Sequence, residues 1–407
     1  MKWAFLLGSA SISGGTNVIF EHAVRNYNRG EEITIITEVL VDMKELDWHP
    51  EAKCLRWATY SEVKEEEFDC LIVTWWRTAY EAYRVKAKKY FYFVQSVESK
   101  FYSPEELPIR HLAEASYMIP FDFITEATWI KEYLKENYNV DAQLVKNGIR
   151  KDFFKRDGEA ISPKNENKLR VLVEGTIESP FKNVKKTIEL CKQSEADEIW
   201  LLTSSNVKSY DGVDKVISRI PIRETPKVYR SCDVLVKLSY VEGMFGPPLE
   251  IFHCGGTAIT YDVTGHDEYI INNYNALVVG CDKEKEVIRC INQLKNDKKT
   301  IDRLKKGAAQ TAKEWIDWDE SARQFGEAIS KAMSINNERN NQSEVERISK
   351  FHFRSYVIAE DYFNELKRIK AISFKQKLWY KINRFDKIKK MLPNDFKQKI
   401  KDILGVV

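Results

Sequence analysis

Glycine and proline are scarce in this chain, and long apolar runs are lacking. The 407 residues include 17 glycines and 11 prolines, which excludes a collagen-like or low-complexity protein. No stretch of 18 apolar residues without a charge occurs, so the sequence predicts no transmembrane helix. A short apolar run within residues 2–10 resembles a weak leader sequence, but its length and the helical pattern behind it favour a buried first strand.

Positive and negative charges are nearly balanced over the whole chain. The 64 Lys+Arg and 61 Asp+Glu leave +3, which is too balanced for a protein that coats nucleic acid, so we expect no nucleic-acid partner. The seven cysteines include no C-x-x-C pair, which favours reduced thiols and a cytoplasmic location. The charge is nevertheless uneven, because residues 351–407 hold 14 Lys+Arg against 6 Asp+Glu, a net of +8.

Short apolar runs alternate with helical patterns twice along the chain, and this alternation predicts an α/β fold. Recurring strand–helix–strand units favour parallel sheets with right-handed crossovers. We predict two doubly wound, Rossmann-like domains over residues 1–150 and 151–333, facing each other across a cleft. A polar linker over 334–350 and a basic helical tail over 351–407 are expected to follow. Ligands of such sheets bind beyond the carboxyl ends of the strands.

The most informative segment is SYVEGMFGPPLE, residues 239–250. Glu242 follows a predicted strand, and Pro247 and Pro248 delay the next helix, so Glu250 falls in its first turn. Two carboxylates therefore lie at one strand end, beside a loop with exposed backbone amides. Carboxylates accept hydrogen bonds from sugar hydroxyls, and amides at a helix start favour phosphate, so the pattern indicates a site for a polyol and an oxyanion. The alternative is that Glu250 only complements the helix dipole.

Five segments in order resemble motifs of the family 4 retaining glycosyltransferases, which have the GT-B fold. They are Gly14-Gly15, VKNGIRKDFF (145–154), FKNV (181–184), the glutamate loop with its following Cys-Gly-Gly, and GHDEYIINNYNALVV (265–279). The resemblance covers about residues 1–330. It implies transfer of a hexose or deoxyhexose from a nucleoside-diphosphate sugar to a glycan acceptor with retention of the anomeric configuration. It also implies that no metal or other cofactor is required.

The same resemblance assigns roles to individual residues. Glu250 would bind the ribose hydroxyls of the donor, and Glu242 would contact the donor sugar. Lys182 would neutralise the leaving diphosphate. Gly14 and Gly15 would let the backbone approach that diphosphate from the other domain. The donor loop comprises Gly243, Met244, Phe245 and Gly246.

One departure concerns the charge available for the diphosphate. The family commonly carries Gly-Arg before the lysine segment, whereas this chain has Gly175 and Thr176, so one cation is missing. Arg150 is a candidate replacement; the alternative is a solvated surface arginine.

A second resemblance concerns YFYFVQSVESKFY, residues 90–102, which is similar to a segment of rhamnosyltransferase-like enzymes of bacterial surface-glycan assembly. It places Gln95 and Glu98 on the acceptor side, where an amide suits hydroxyl recognition. Glu98 would orient or deprotonate the acceptor hydroxyl. A helix-capping role for Glu98 is the alternative.

The tail repeats apolar residues among lysines, with Phe374, Leu378, Ile382, Phe385 and Ile388 on one predicted helix face. A basic amphipathic helix is typical of membrane-surface binding, which would suit a lipid-linked acceptor at the inner face of the plasma membrane. Packing on protein is the alternative for the tail. For the whole chain, two other functions stay open: a GT-B sugar-nucleotide epimerase or hydrolase, and a catalytically silent scaffold subunit of a glycan-assembly complex.

Overall fold

The computed structural model describes residues 1–384, 394, 398 and 399, and its first half contains a parallel seven-stranded sheet of order β3-β2-β1-β4-β5-β6-β7. The strands are β1 (Lys2–Leu6), β2 (Glu32–Thr37), β3 (Arg56–Thr59), β4 (Glu67–Val73), β5 (Lys86–Val94), β6 (Asp122–Thr125) and β7 (Gln143–Leu144). The helices of this half are α1 (Gly14–Asn28), α2 (Trp76–Glu81), α3 (Leu107–Ala115) and α4 (Thr128–Tyr138).

The second half contains a parallel six-stranded sheet of order β10-β9-β8-β11-β12-β13. The strands are β8 (Arg170–Glu174), β9 (Glu198–Thr203), β10 (Lys215–Ser218), β11 (Val234–Lys237), β12 (Thr257–Tyr261) and β13 (Ala276–Val279). The helices are α5 (Val184–Lys192), α6 (Thr225–Ser231), α7 (Gly246–His253), α8 (Glu284–Asn296), α9 (Lys298–Glu314), α10 (Trp318–Met333) and α11 (Gln342–Arg384).

Strands buried on both faces explain why the sequence shows near-continuous apolar runs. In β1, Trp3 and Phe5 enter one core cluster while Ala4 and Leu6 enter the cluster on the other face. Strand order reverses between β1 and β4 in the first sheet and between β8 and β11 in the second. Such a reversal leaves a crevice at the carboxyl ends of the strands. The predicted α/β class with two doubly wound domains facing across a cleft is confirmed.

Helix α10 returns to the first domain, although the prediction counted its residues with 151–333. Its buried Phe325 stacks on His22 of α1 at a ring-centroid distance of 4.3 Å. Arg25 of α1 pairs with Asp319 at 2.9 Å. The chain therefore crosses between the domains twice, once near residue 150 and once before α10.

Helix α11 begins inside the predicted linker. Val345 is fully buried and Ile348 is 9% exposed, so residues 342–350 are a packed helical segment, and the prediction of a linker over 334–350 is wrong for its second half. A helical tail is present as predicted, up to Arg384. Phe385 and Ile388 of the predicted stripe lie outside the described residues. No helix within the described part of the chain is long and apolar enough to cross a membrane.

Candidate active site

A cavity of about 680 Å³ lies between the two domains, at the carboxyl ends of both sheets. Its wall includes residues from each half of the chain, and almost all of the predicted site residues are among them. These are Gly14, Gly15, Gln95, Glu98, Lys182, Glu242, Gly243, Met244, Gly246 and Glu250. The predicted residues are therefore brought together in one place.

The first domain presents the start of α1 to this cavity. Ser13 caps the helix, since its hydroxyl accepts from the Thr16 amide at 3.0 Å. Gly14 and Gly15 form the first helical turn, and no atom lies within 4 Å of a Cβ placed on Gly14. The positive end of the helix dipole and the first backbone amides of α1 thus face the space between the domains, an arrangement that favours an anion.

Lys182 and Glu242 form an ion pair on the second-domain wall. The Lys182 Nζ lies 2.8 Å from the Glu242 Oε2, and the lysine side chain is 25% exposed whereas the glutamate is 8% exposed. Burial alone would raise the pKa of Glu242, but Lys182 and Lys237 reverse this effect and hold the pKa below its usual value. The other carboxylate oxygen is buried and has no hydrogen-bond partner among the described residues. Glu242 is therefore an ionised group with spare acceptor capacity at the cavity.

Lys237, the last residue of β11, was missed by the sequence analysis. Its ammonium lies 2.5 Å from the Glu174 carboxylate and 3.6 Å from that of Glu242. Burial alone would lower the pKa of Lys237, but Glu174 and Glu242 reverse this effect and raise it above its usual value. A signal was present in the sequence, because lysine is rarely buried without a partner and Lys237 ends an otherwise apolar strand.

Glu250 borders the cavity, and no ion pair involves it among the described residues. The prolines do not delay α7, which begins at Gly246, so Glu250 lies beyond the first turn in which it was predicted. Burial raises the pKa of Glu250 to about 7, and the Tyr229 hydroxyl, which bonds the carboxyl, opposes the shift. A ligand that donates hydrogen bonds to this carboxyl group stabilises its ionised form.

The glycine loop after Glu242 is bonded to the first domain through one backbone amide and one backbone carbonyl group. The Met244 amide donates to the Glu126 carboxylate at 3.0 Å, and the Gly243 carbonyl accepts from the Trp129 indole at 3.0 Å. A Cβ on Gly243 would lie 2.0 Å from the Gln95 carbonyl oxygen, so only glycine fits this close approach. The Met244 amide is thus engaged by a side chain of the first domain.

Two predictions about this wall need correction. Phe245 is fully buried in the core and does not line the cavity, so the structure does not bring this member of the predicted donor loop to the site. Arg150 is not a solvated arginine either, because it is 7% exposed and pairs with Glu21 at 2.8 Å and Glu51 at 3.0 Å. Glu21 also pairs with Arg25 and Glu51 with Arg223, so these two carboxylates are shared among three arginines. Arg150 lines the cavity, and its role toward a diphosphate stays a prediction. Thr176 lines the cavity and shares a 2.8 Å hydrogen bond with Ser204.

The acceptor-side residues lie opposite, at the end of β5. The Gln95 side-chain oxygen is buried and has no hydrogen-bond partner among the residues described. Glu98 accepts from the Trp76 amide at 2.8 Å and from the Tyr92 hydroxyl at 3.4 Å. Burial raises the pKa of Glu98 to about 8, and these two donors only partly oppose it. Glu98 thus caps α2, and it also retains a proton that can be exchanged near neutral pH.

Two further carboxyl groups complete the site. Glu126 at the end of β6 accepts from the Asn147 amide at 2.9 Å as well as from Met244, and burial raises its pKa to about 7. Glu174 ends β8. Within the described residues, no group of three or more His, Cys, Asp or Glu is arranged to hold a metal ion, and metal-independent chemistry stays a prediction.

Part of the second domain matches a known protein family. A family model described as glycosyl transferases group 1 matches residues 211–311, which include Lys237, Glu242 and Glu250. No curated protein sequence matches the chain significantly.

Several solved structures have a similar fold. Sucrose-phosphate synthase from Thermosynechococcus elongatus is 15% identical with a TM-score of 0.64, over 82% of this chain and 99% of that one. HepE from Anabaena, solved with UDP-glucose, is 14% identical with a TM-score of 0.65, over 81% and 100%. WaaG, a glycosyltransferase involved in lipopolysaccharide biosynthesis, is 13% identical with a TM-score of 0.63, over 81% and 99%. The GT-B fold is thereby confirmed, and residues 211–311 within the second domain match the glycosyl transferases group 1 model.

Proposed function

We propose that this protein transfers a hexose or deoxyhexose from a nucleoside-diphosphate sugar to a saccharide acceptor. The observation that carries the proposal is the cavity between the two switch points, where Lys182, Glu242 and Glu250 face the start of α1. Cations and helix amides suit a diphosphate, and carboxylates suit the hydroxyls of a pentose and a hexose. The complex of HepE with UDP-glucose supports a nucleotide sugar as the donor for a chain of the same fold.

The proposed mechanism stabilises the leaving group with this chain's own residues. Lys182 turns from Glu242 to the donor diphosphate as negative charge develops there, while the α1 amides approach from the other domain. The acceptor hydroxyl binds Gln95 and loses its proton either to Glu98 or to a leaving phosphate oxygen on the same face. Retention follows from this same-face geometry and is tested by the anomeric configuration of the product. Closure of the domains over the cavity limits hydrolysis.

Nucleotide binding is the first test. We expect UDP, GDP or dTDP to raise the melting temperature, since a ligand that binds only the folded state stabilises it. Lys182→Met should weaken diphosphate binding by at least about tenfold and leave nucleoside binding unchanged, because a charge-assisted hydrogen bond contributes roughly 1.5–3 kcal/mol. Lys185→Met is the matched control, since Lys185 is exposed on α5. Equal loss of nucleoside and diphosphate affinity would contradict the assigned role of Lys182.

The reaction itself is tested by product mass. A transferase adds one sugar mass to the acceptor, whereas a hydrolase releases free sugar and an epimerase leaves the mass of the nucleotide sugar unchanged. A scaffold subunit would bind nothing and turn over nothing. Activity after exhaustive chelation tests whether metal is dispensable.

We also infer that α11 attaches the enzyme to a membrane surface carrying a lipid-linked acceptor. Phe351, Ile358, Tyr362 and Ile369 are 64%, 72%, 68% and 52% exposed, and their spacing of 7, 4 and 7 residues puts them on one helix face. Phe374 of the predicted stripe is 67% exposed. Residues 351–369 hold 3 Lys+Arg and 3 Asp+Glu, and the excess of +8 lies in residues 370–407. An exposed apolar helix face followed by a basic stretch suits an anionic lipid surface.

Flotation with vesicles of phosphatidylcholine, with and without phosphatidylglycerol, tests this attachment. The full chain should float with the anionic vesicles, and Ile358→Glu with Tyr362→Glu should abolish flotation. Asn364→Glu adds a charge at an exposed position on another face and serves as control. Unchanged flotation of the double variant, or self-association without vesicles, would refute membrane attachment through this face.

A further inference from the structure

A buried lysine at the end of β11 has no evident structural need. The Lys237 side chain is 1% exposed, and its ammonium bonds the Glu174 carboxylate at 2.5 Å and the Glu174 carbonyl oxygen at 3.3 Å. Buried ion pairs add little stability compared with well-packed apolar residues, so a strand of this kind would be served as well by leucine. We therefore look for the function of this charge in the cavity that Lys237 borders.

Glu242 is shared between two lysines of different accessibility. Lys182 holds one carboxylate oxygen at 2.8 Å, and Lys237 faces the other at 3.6 Å. Lys182 sits in the short 3-10 turn Pro180–Lys182 on the cavity wall and is partly exposed, whereas Lys237 is enclosed. Lys237 also borders the cavity, but its ammonium is held by the Glu174 carboxylate and carbonyl oxygens, so Lys182 is the lysine with room to turn toward a ligand. When it does so, Lys237 is the cation that remains beside Glu242.

Resting on the proposed function, we propose that Lys237 is a positioning residue that keeps Glu242 ionised and in place when Lys182 moves to the donor diphosphate. Glu242 would otherwise be left as a buried carboxylate without a cation, and such a group neutralises itself by taking up a proton. With Lys237 present, Glu242 stays an acceptor for the sugar hydroxyls. Lys237 thereby lets one lysine serve the leaving group without disabling the neighbouring carboxylate.

Several charged or titratable groups surround this pair, and each bears on a titration experiment. These groups are Glu174 from β8, Lys182 from its turn, Glu250 from α7 and Glu126 from the end of β6. The pKa of Glu126 is raised by burial and also by the negative charge of Glu242. Glu174 also loses its cation when Lys237 is replaced, and it lines the cavity as well. Extra proton uptake on binding is therefore assigned to Glu242 by a double variant.

The experiment counts protons taken up when UDP, GDP and dTDP bind at pH 7, by calorimetry in buffers of different ionisation enthalpy. Lys237→Met should take up about one proton more on binding than the wild type does. For each unit of rising pH, its affinity for the nucleoside diphosphate should therefore fall about tenfold more than that of the wild type. Lys237→Gln, which can still donate hydrogen bonds, carries the same test if the methionine variant does not fold. Lys237→Arg should behave like the wild type.

Two controls assign the extra proton. Adding Glu242→Gln to Lys237→Gln should remove it, because the group that takes the proton is gone. Lys215→Met removes an exposed lysine from β10 of the same sheet and should leave proton uptake unchanged. If the wild type binds none of the three diphosphates, the proposed function fails and this proposal with it. If the wild type binds and neither Lys237 variant takes up an extra proton, the proposal on Lys237 alone is overturned.

Discussion

Replacing Glu250 by glutamine separates the stability of this protein from its binding chemistry. The carboxyl faces the cavity with a pKa raised by burial to about 7, from an ordinary value of 4.5. The folded state therefore holds its proton more tightly than the unfolded state, and wild-type stability falls as the pH rises from about 4.5 through 7. Glutamine keeps the shape and the hydrogen bond with Tyr229 but cannot ionise.

The size of the effect follows from this shift. The difference in pKa corresponds to about 3 kcal/mol of unfolding free energy above pH 7 and to about 1 kcal/mol at pH 5. Because the carboxyl is partly open to the cavity, we expect Glu250→Gln to gain about 2 kcal/mol above pH 7. In a domain of this size that gain corresponds to a rise of about 4–8 °C in the melting temperature.

Calorimetric melting at pH 5, 7 and 8 measures this gain, and nucleoside binding measures the cost to function. The variant should lose about tenfold in affinity for nucleosides at pH 8, where the carboxylate would accept from the ribose hydroxyls. Glu189→Gln, at an exposed position on α5, is the matched control and should change neither quantity. A gain that is absent, or that is larger at pH 5 than at pH 8, would refute the reasoning.

Three further predictions concern other parts of the site. Gly243→Ala should lower the unfolding free energy measured in urea by about 1–3 kcal/mol, because its Cβ would lie 2.0 Å from a carbonyl oxygen of the first domain. The same variant should show more widely separated domains in small-angle scattering. Gly14→Ala is the control and should change neither measurement, since no atom lies within 4 Å of its Cβ. Arg150→Met should lower the unfolding free energy by about 2 kcal/mol at pH 7, since it removes one cation that bonds the buried Glu21 while Arg25 remains. In the wild type the contribution of Glu21 is lost as pH falls from about 4.5 toward 2, and a flat acid profile would contradict it. If Glu98 is the base, the transfer rate should rise through about pH 8, and Glu98→Gln should abolish that rise.

Short strands were the main elements that the periodicity did not reveal. Strands β3 and β6 each contain only two consecutive apolar residues, in RWAT and DFIT, whereas the equally short β11 and β13 form longer apolar runs. Missing β6 also meant missing Glu126, which follows it directly. The burial of Phe245 had no signal either, because the glycine-rich loop allows several orientations and only packing selects one.

Lys182, Glu242 and Glu250 could be brought together from the sequence because each follows a strand of one parallel sheet, and all carboxyl ends of such a sheet meet at one edge. Local patterns therefore predicted the two-domain α/β fold and the convergence of Glu242 and Glu250, whereas Lys182 was assigned through the family resemblance. Long-range packing alone decided which charges are available there. The pairing of Lys237 with Glu174 depends on β11 lying next to β8, and the pairing of Arg150 with Glu21 and Glu51 depends on how the interdomain segment packs on the first domain. Electrostatic neutralisation depends on distance in space, which a pattern along the chain does not contain.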